Sequence, residues 1–284
     1  MPSEPGTCAP GPLLLYTDYA RSALEFGSLF WAWPVLASAP RGDGHPVLVV
    51  PGLVTGDATT SVLRTFLGRL GYRTCGWGLG RNIGPTPKAV HGLRARLGRI
   101  RARHAQPVSV IGWSLGGIYA RQLARRSPDA VRQVITLGSA IRLERHQQSN
   151  ARHLFHHYAD RHIERWALPL EDGCSPLPVP ATSVYSRLDG VVAWRACLDK
   201  PSPLAENVQV RASHLGFGHH PAVLWLVADR LAQPRDAWTP FQPPRFTELA
   251  YPRPVRDRDR HENETHHPHR RPRSSGATGM ARMP

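Results

Sequence analysis

A serine with a glycine two residues to either side, Gly112-Trp113-Ser114-Leu115-Gly116, is the segment of this chain best suited to covalent chemistry. The apolar run Val108 to Ile111 leads into it, and the helix-forming stretch IYARQLARR leads out. That setting predicts a sharp strand-to-helix turn, a nucleophile elbow, lifting the Ser114 hydroxyl clear of a sheet edge. Backbone at such a turn is strained at the serine. Gly112 and Gly116 are expected because chain segments pass too close there for a Cβ. The helix behind the turn offers free N–H groups and a positive dipole end to a developing oxyanion. The chemistry would be acyl transfer through a serine ester.

A hydroxyl needs a base, and the base needs an acid to orient it. On a sheet of this kind they follow in the order serine, Asp or Glu, then His, each just past the end of a later strand. Asp189 fits the acid: it follows the strand Thr182–Tyr185, and Gly190 lets the chain turn at once. Glu171 and Asp172 are its substitutes. His214 fits the base, following the strand Val208–Arg211. His219 and His220 are its rivals, but they stand beside Pro221 at a helix start, where a histidine more often caps. The oxyanion hole needs a second donor from an earlier strand's loop. Val50-Pro51-Gly52-Leu53 is placed for it, so the backbone N–H groups of Leu53 and Leu115 are assigned there. Trp113 and Asn82, the latter in the glycine-rich loop Gly76–Pro85, are taken as substrate contacts. His153, His156, His157 and His162 have helical spacing, but no Asp, Glu or Cys completes a metal set; they are read as a solvated face.

The elements that must position these groups alternate. Val47–Val50 is an apolar run, the mark of a strand covered on both faces. Helix follows over 57–70, strand over 72–77, and a helix from Thr86 and Pro87 to about His104. Strand 108–112, helix 115–127, strands 131–137, 182–185 and 208–211, and a helix from Pro221 to about Ala232 complete the pattern. Alternation of this kind predicts a mostly parallel sheet with helices on both faces. Residues 139–178 interrupt it and are read as an inserted cap or long loop. Residues 1–12 are Pro- and Gly-rich and read as mobile. After about Phe246 the chain is rich in Arg, His and Pro, so 247–284 reads as a disordered basic tail. Residues 13–36 form an amphipathic helix, with Asp18, Arg21, Ser22, Glu25 and Ser28 on one side and Tyr16, Tyr19, Phe26, Phe30 and Trp33 on the other. It is expected to pack on the domain. Its aromatic, uncharged end FGSLFWAW gives a sharper reading, a lid or membrane-touching helix.

Composition sets outer bounds. The 284 residues are 41% hydrophobic, enough for a full core. Lys plus Arg is 36 against 21 Asp plus Glu, a net charge of +15. Basic runs lack the interleaved aromatics that stack bases, so no nucleic acid is expected as partner; weak contact with anionic membrane surfaces or acidic substrates is favoured. Cys8, Cys75, Cys174 and Cys197 make no CxxC and no zinc pattern. No signal peptide and no stretch long enough to span a bilayer are seen, which points to a cytoplasmic protein.

With these residues in view, VLVVPGL, GYRTCGWGLGRNIGP, VIGWSLGG, YSRLDGVVAWR and SHLGFGHHPAVLWLVADRLAQP resemble bacterial lipase/esterase-like hydrolases of the α/β-hydrolase superfamily, over about residues 13–246. GWSLGG and LDGVV also resemble carboxylesterases acting on acyl-carrier esters. PGL stands where many lipases carry an HG pair. The resemblance implies a Ser114–Asp189–His214 triad working on a small-molecule or lipid-like ester, with no metal or organic cofactor. Acyltransferase, thioesterase or amidase chemistry on the same triad is the alternative, and a non-catalytic binding protein on a hydrolase scaffold is the other.

Overall fold

A computed structural model of the chain describes residues 8–142, 149–163, 176–235, 237–244 and 247–252. Six strands, β1 (Pro46–Val50), β2 (Arg73–Gly76), β3 (Val108–Trp113), β4 (Val131–Leu137), β5 (Ala181–Ser186) and β6 (Ala205–Val210), form one sheet in the order β2-β1-β3-β4-β5-β6. Every pairing is parallel. The helices are α1 (Pro12–Ala37), α2 (Ser61–Arg69), α3 (Pro87–His104), α4 (Leu115–Arg126), α5 (Arg152–His157) and α6 (Pro221–Leu231). Thr86 caps α3, its hydroxyl accepting the Ala89 N–H at 3.1 Å, with Pro87 at the first position. The α/β alternation expected from the sequence is therefore present, element for element.

Successive strand residues point to opposite faces, and two cores result. Val47, Val49, Ile111 and Trp113 join α2, α6 and the end of α1 on one face. Leu48, Val50, Val108 and Val110 join α3 and α4 on the other. Strand order reverses between β1 and β3. In a parallel sheet the crevice outside the C-terminal ends of strands at such a reversal is where ligands bind. The β1 end leads into Pro51-Gly52-Leu53, and the β3 end leads into Ser114.

Part of the expected organisation falls outside the described residues: most of 1–12, residues 143–148 and 164–175 of the expected insertion with Glu171, Asp172 and Cys174, and nearly all of the tail. Residues 149–163 carry α5 and one turn of 3₁₀ helix at Ala159–Arg161. Packing continues beyond residue 246, the boundary expected for the domain: Tyr251 is buried in the core around α6, and its hydroxyl donates to the Ala222 carbonyl at 2.8 Å. No helix among the described residues is long and apolar enough to cross a membrane.

The helix α1 lies on the domain in the orientation opposite to the one its amphipathic pattern suggests. Its polar side faces inward, with Asp18 and Ser22 buried, while its aromatic side is exposed. The inward carboxylates of Asp18 and Glu25 accept backbone N–H groups of the two loops after β5 and β6, and the Ser22 hydroxyl lies 3.3 Å from His219 Nε2, so the buried groups on both sides are paired.

Candidate active site

Ser114 is the residue at the β3–α4 turn. Its φ is +53° and its ψ −121°, a conformation L residues adopt only when surroundings force it. The surroundings are visible. The Ser114 N–H donates to the Leu137 carbonyl at 2.8 Å. A Cβ on Gly112 would lie 2.3 Å from the Gly116 carbonyl oxygen, and one on Gly116 would lie 2.3 Å from the Val50 oxygen. Both glycines are thus dictated by backbone on backbone, as the sequence reading held. The serine itself is half-buried.

Asp189 and His214 meet. His214 Nδ1 is 2.7 Å from Asp189 Oδ2, and both residues are buried. Asp189 Oδ1 accepts the N–H groups of Val191 and Val192, each at 2.7 Å. Three of the carboxylate's four lone-pair sites are therefore taken, two by its own loop and one by the imidazole. A carboxylate only accepts, so Nδ1 carries the proton and Nε2 is left as an acceptor. Burial pulls the His214 pKa down, but the Asp189 charge and hydrogen bond, and the Asp18 charge beyond, more than reverse it, so it stands above the usual histidine value. Gly138, just past β4 at φ +55°, makes the space: a Cβ there would press on the Phe217 ring and Asp189 Oδ2.

Among the described residues no hydrogen bond joins Ser114 Oγ to His214 Nε2. The turn and the base loop are joined instead through Trp113, whose indole N–H donates to the His214 carbonyl at 3.1 Å. Trp113 is buried, and this bond ties the residue beside Ser114 to the loop that carries His214. The expectation that Asn82 contacts substrate is corrected. It is fully buried, and its side-chain amide donates to the Pro51 carbonyl at 2.9 Å and accepts the Gly84 N–H at 3.2 Å. Its backbone bonds Val54 and Thr55. Asn82 therefore holds the loop after β1 in shape and has no free face for substrate. That loop includes Val54 at φ +55°, an outlier for a β-branched residue. Among the described residues the N–H groups of Leu53 and Leu115 have no acceptor, which leaves both available for an incoming oxygen.

His219 and His220 have other employment. His220 caps α6 by accepting the Ala222 N–H at 3.2 Å, and burial, with the neighbouring His219, lowers its pKa to about 4. His219 Nε2 lies 2.9 Å from the Ser22 carbonyl on α1. His162 of the histidine-rich stretch bonds the Ile83 carbonyl at 2.8 Å.

Three groups missed in the sequence reading come from α1. Asp18 accepts the N–H groups of Gly190 (3.0 Å), His214 (2.9 Å) and Leu215 (2.9 Å). Arg21 donates to the Leu188 carbonyl at 2.6 Å and pairs with Asp18 at 3.2 Å. Glu25 accepts from Ser213 through N–H at 2.7 Å and hydroxyl at 2.6 Å. One helix thus bonds the residues on both sides of Asp189 and both sides of His214. The i, i+3, i+4 and i+7 spacing of 18, 21, 22 and 25 was the available signal.

Asp18→Asn is expected to lower kcat/KM by about ten- to a hundredfold by loosening both loops. With His214 in the role of base expected from the sequence, it must be neutral to act, and the rate is expected to rise with pH through its pKa. Removing the Asp18 charge lowers that pKa, and the rising limb moves to lower pH. A pH–rate profile checks this; a lower rate with an unmoved limb would mean that Asp18 is only structural.

A second Ser-His-Asp set lies at the opposite end of the sheet. His45 Nε2 is 2.9 Å from Ser109 Oγ, and its Nδ1 is 2.5 Å from Asp43 Oδ1. Ser109 is 0% exposed, in the middle of the sheet beside β1. Burial, with the Arg132 charge, holds the His45 pKa below the usual value despite Asp43. No ester can reach this hydroxyl; the set ties the start of β1 to β3.

Similarity to known structures follows the same outline. Lipase B of Aspergillus fumigatus superposes with a TM-score of 0.52 at 17% identity, over 69% of this chain and 55% of the lipase; the chain spans little more than half that enzyme's length. MGS-MChE2, an α/β hydrolase from the metagenome of lagoon sediments at Mar Chica, Morocco, matches with a TM-score of 0.48 at 18% identity, over 64% of this chain and 87% of that one. The thioesterase domain from the curacin biosynthetic pathway gives 0.43 at 14%, over 67% and 92%. The chain matches no protein-family model and no curated protein. The six-stranded parallel sheet, its strand order and the likeness to the lipase define the class: this chain has the α/β-hydrolase fold.

Proposed function

We propose that the protein is a serine hydrolase that cleaves carboxylic esters through an acyl-enzyme. Ser114 Oγ attacks the ester carbonyl as His214 Nε2 takes its proton. The Leu53 and Leu115 N–H groups receive the negative oxygen. The intermediate collapses, the alcohol leaves with the proton from His214, and Ser114 holds the acyl group. Water then attacks, giving its proton to His214, which returns it to Ser114 as the acid departs. Asp189 keeps Nδ1 protonated and offsets the imidazolium charge.

The observation that carries this reading is the buried 2.7 Å contact of His214 Nδ1 with Asp189 Oδ2, tied through Trp113 to the strained turn that bears Ser114. The reading requires the Ser114–His214 hydrogen bond to form as substrate binds, as in other enzymes whose catalytic bonds tighten only in the complex. Turnover of p-nitrophenyl esters of graded acyl length by the full chain tests it. Hydrolysis above the buffer rate supports it, and none across the series contradicts it.

A further inference from the structure

The helix that braces the two loops presents a second surface. Its outward side carries Tyr16, Tyr19, Leu24, Phe30, Trp31 and Trp33, with Tyr16 81% and Trp31 82% exposed. The charged residues of α1 are Asp18, Arg21 and Glu25, and all three are bonded inward to the loops or to each other. The outward side is therefore free of charge along the whole helix, and a contiguous apolar surface rimmed by polar residues marks an interaction site. Beside it, a groove of about 650 Å³ between α1 and α2 continues the apolar surface over Phe26, Phe66 and Leu224.

We propose that this face docks on an anionic lipid bilayer, α1 lying along the headgroup boundary, so that the site receives esters held in that bilayer; the second half rests on the esterase reading above. Three features select this occupant. Tyr and Trp, whose rings are apolar and whose tips are polar, favour the boundary between headgroup and acyl chain. The exposed cation Arg69, whose guanidinium sits 5.9 Å from the Trp33 ring, borders the face, and both acids of α1 are turned away from it. The net charge of +15 favours an anionic surface and opposes pairing of two copies. The hydrogen bonds on the inner side keep the helix parallel to the surface it would touch.

Cosedimentation of the full chain with vesicles of phosphatidylcholine containing about one-third phosphatidylglycerol tests the proposal. Binding that weakens with salt, and that falls about tenfold or more in the Phe30→Ser/Trp31→Ser double variant, is expected. Both residues are exposed, so the melting temperature should be unchanged. No binding by the wild-type chain would overturn the proposal, as would binding that the double variant retains. A concentration-dependent dimer that the double variant dissolves would also overturn it, showing that a second copy covers the face. Ser114→Ala should bind like wild type. A chain that binds these vesicles but hydrolyses no ester would refute the esterase reading while leaving the docking intact.

Discussion

Ser114→Ala should lower kcat for ester hydrolysis by about a millionfold, a loss of about 8 kcal/mol of transition-state stabilisation. Without Oγ there is no acyl-enzyme, and His214 has no proton to accept. What would remain is the assistance of the Leu53 and Leu115 N–H groups to attack by water. The fold should not suffer. The serine is half-buried, and no hydrogen bond of its hydroxyl is found among the described residues. Its backbone strain at φ +53° is the same for alanine, so melting curves of the two proteins should coincide while rates differ. Rates near wild type in Ser114→Ala would remove this residue from the reaction.

Asp189→Asn should cost about ten-thousandfold, or about 5 kcal/mol, with the geometry nearly intact. The direction in which the new amide points is decided by its neighbours. Two N–H groups, from Val191 and Val192, converge on Oδ1, so the amide oxygen stays there. The amide nitrogen then replaces Oδ2 opposite His214 Nδ1. A donor facing Nδ1 requires that nitrogen to be unprotonated, which moves the proton to Nε2, where it blocks the base from accepting the proton of Ser114. The variant should recover no activity at any pH where the wild type works, and measurement of kcat across the pH range checks it. A loss of less than about tenfold would mean that Asp189 only shapes its loop.

What the sequence made legible was whatever short-range chemistry dictates. The turn at Ser114 was readable because its two glycines answer to backbone within the same few residues and the adjacent strand. The meeting of Asp189 and His214 was readable because each follows a strand of the alternating pattern, and parallel sheets deliver their strand ends to one edge. Asn82 was misassigned because being beside a site and lining it differ only in burial, which depends on contacts far along the chain. Asp18 and Glu25 were seen as one stripe of α1, yet periodicity separates two faces of a helix without saying which faces the protein. Here hydrogen bonding to the base and acid loops decided, and the aromatic side was left outward. The Asp43–His45–Ser109 set illustrates the converse: the right residue types in catalytic contact, excluded from catalysis by burial alone.

Whether Ser114 is the nucleophile is decided by covalent labelling of the wild-type chain by a fluorophosphonate, with the modified residue located by peptide mass spectrometry. A single adduct on Ser114 is expected, absent from Ser114→Ala and slow to form in His214→Ala. An unlabelled protein, or an adduct on a different serine such as Ser109, would contradict it.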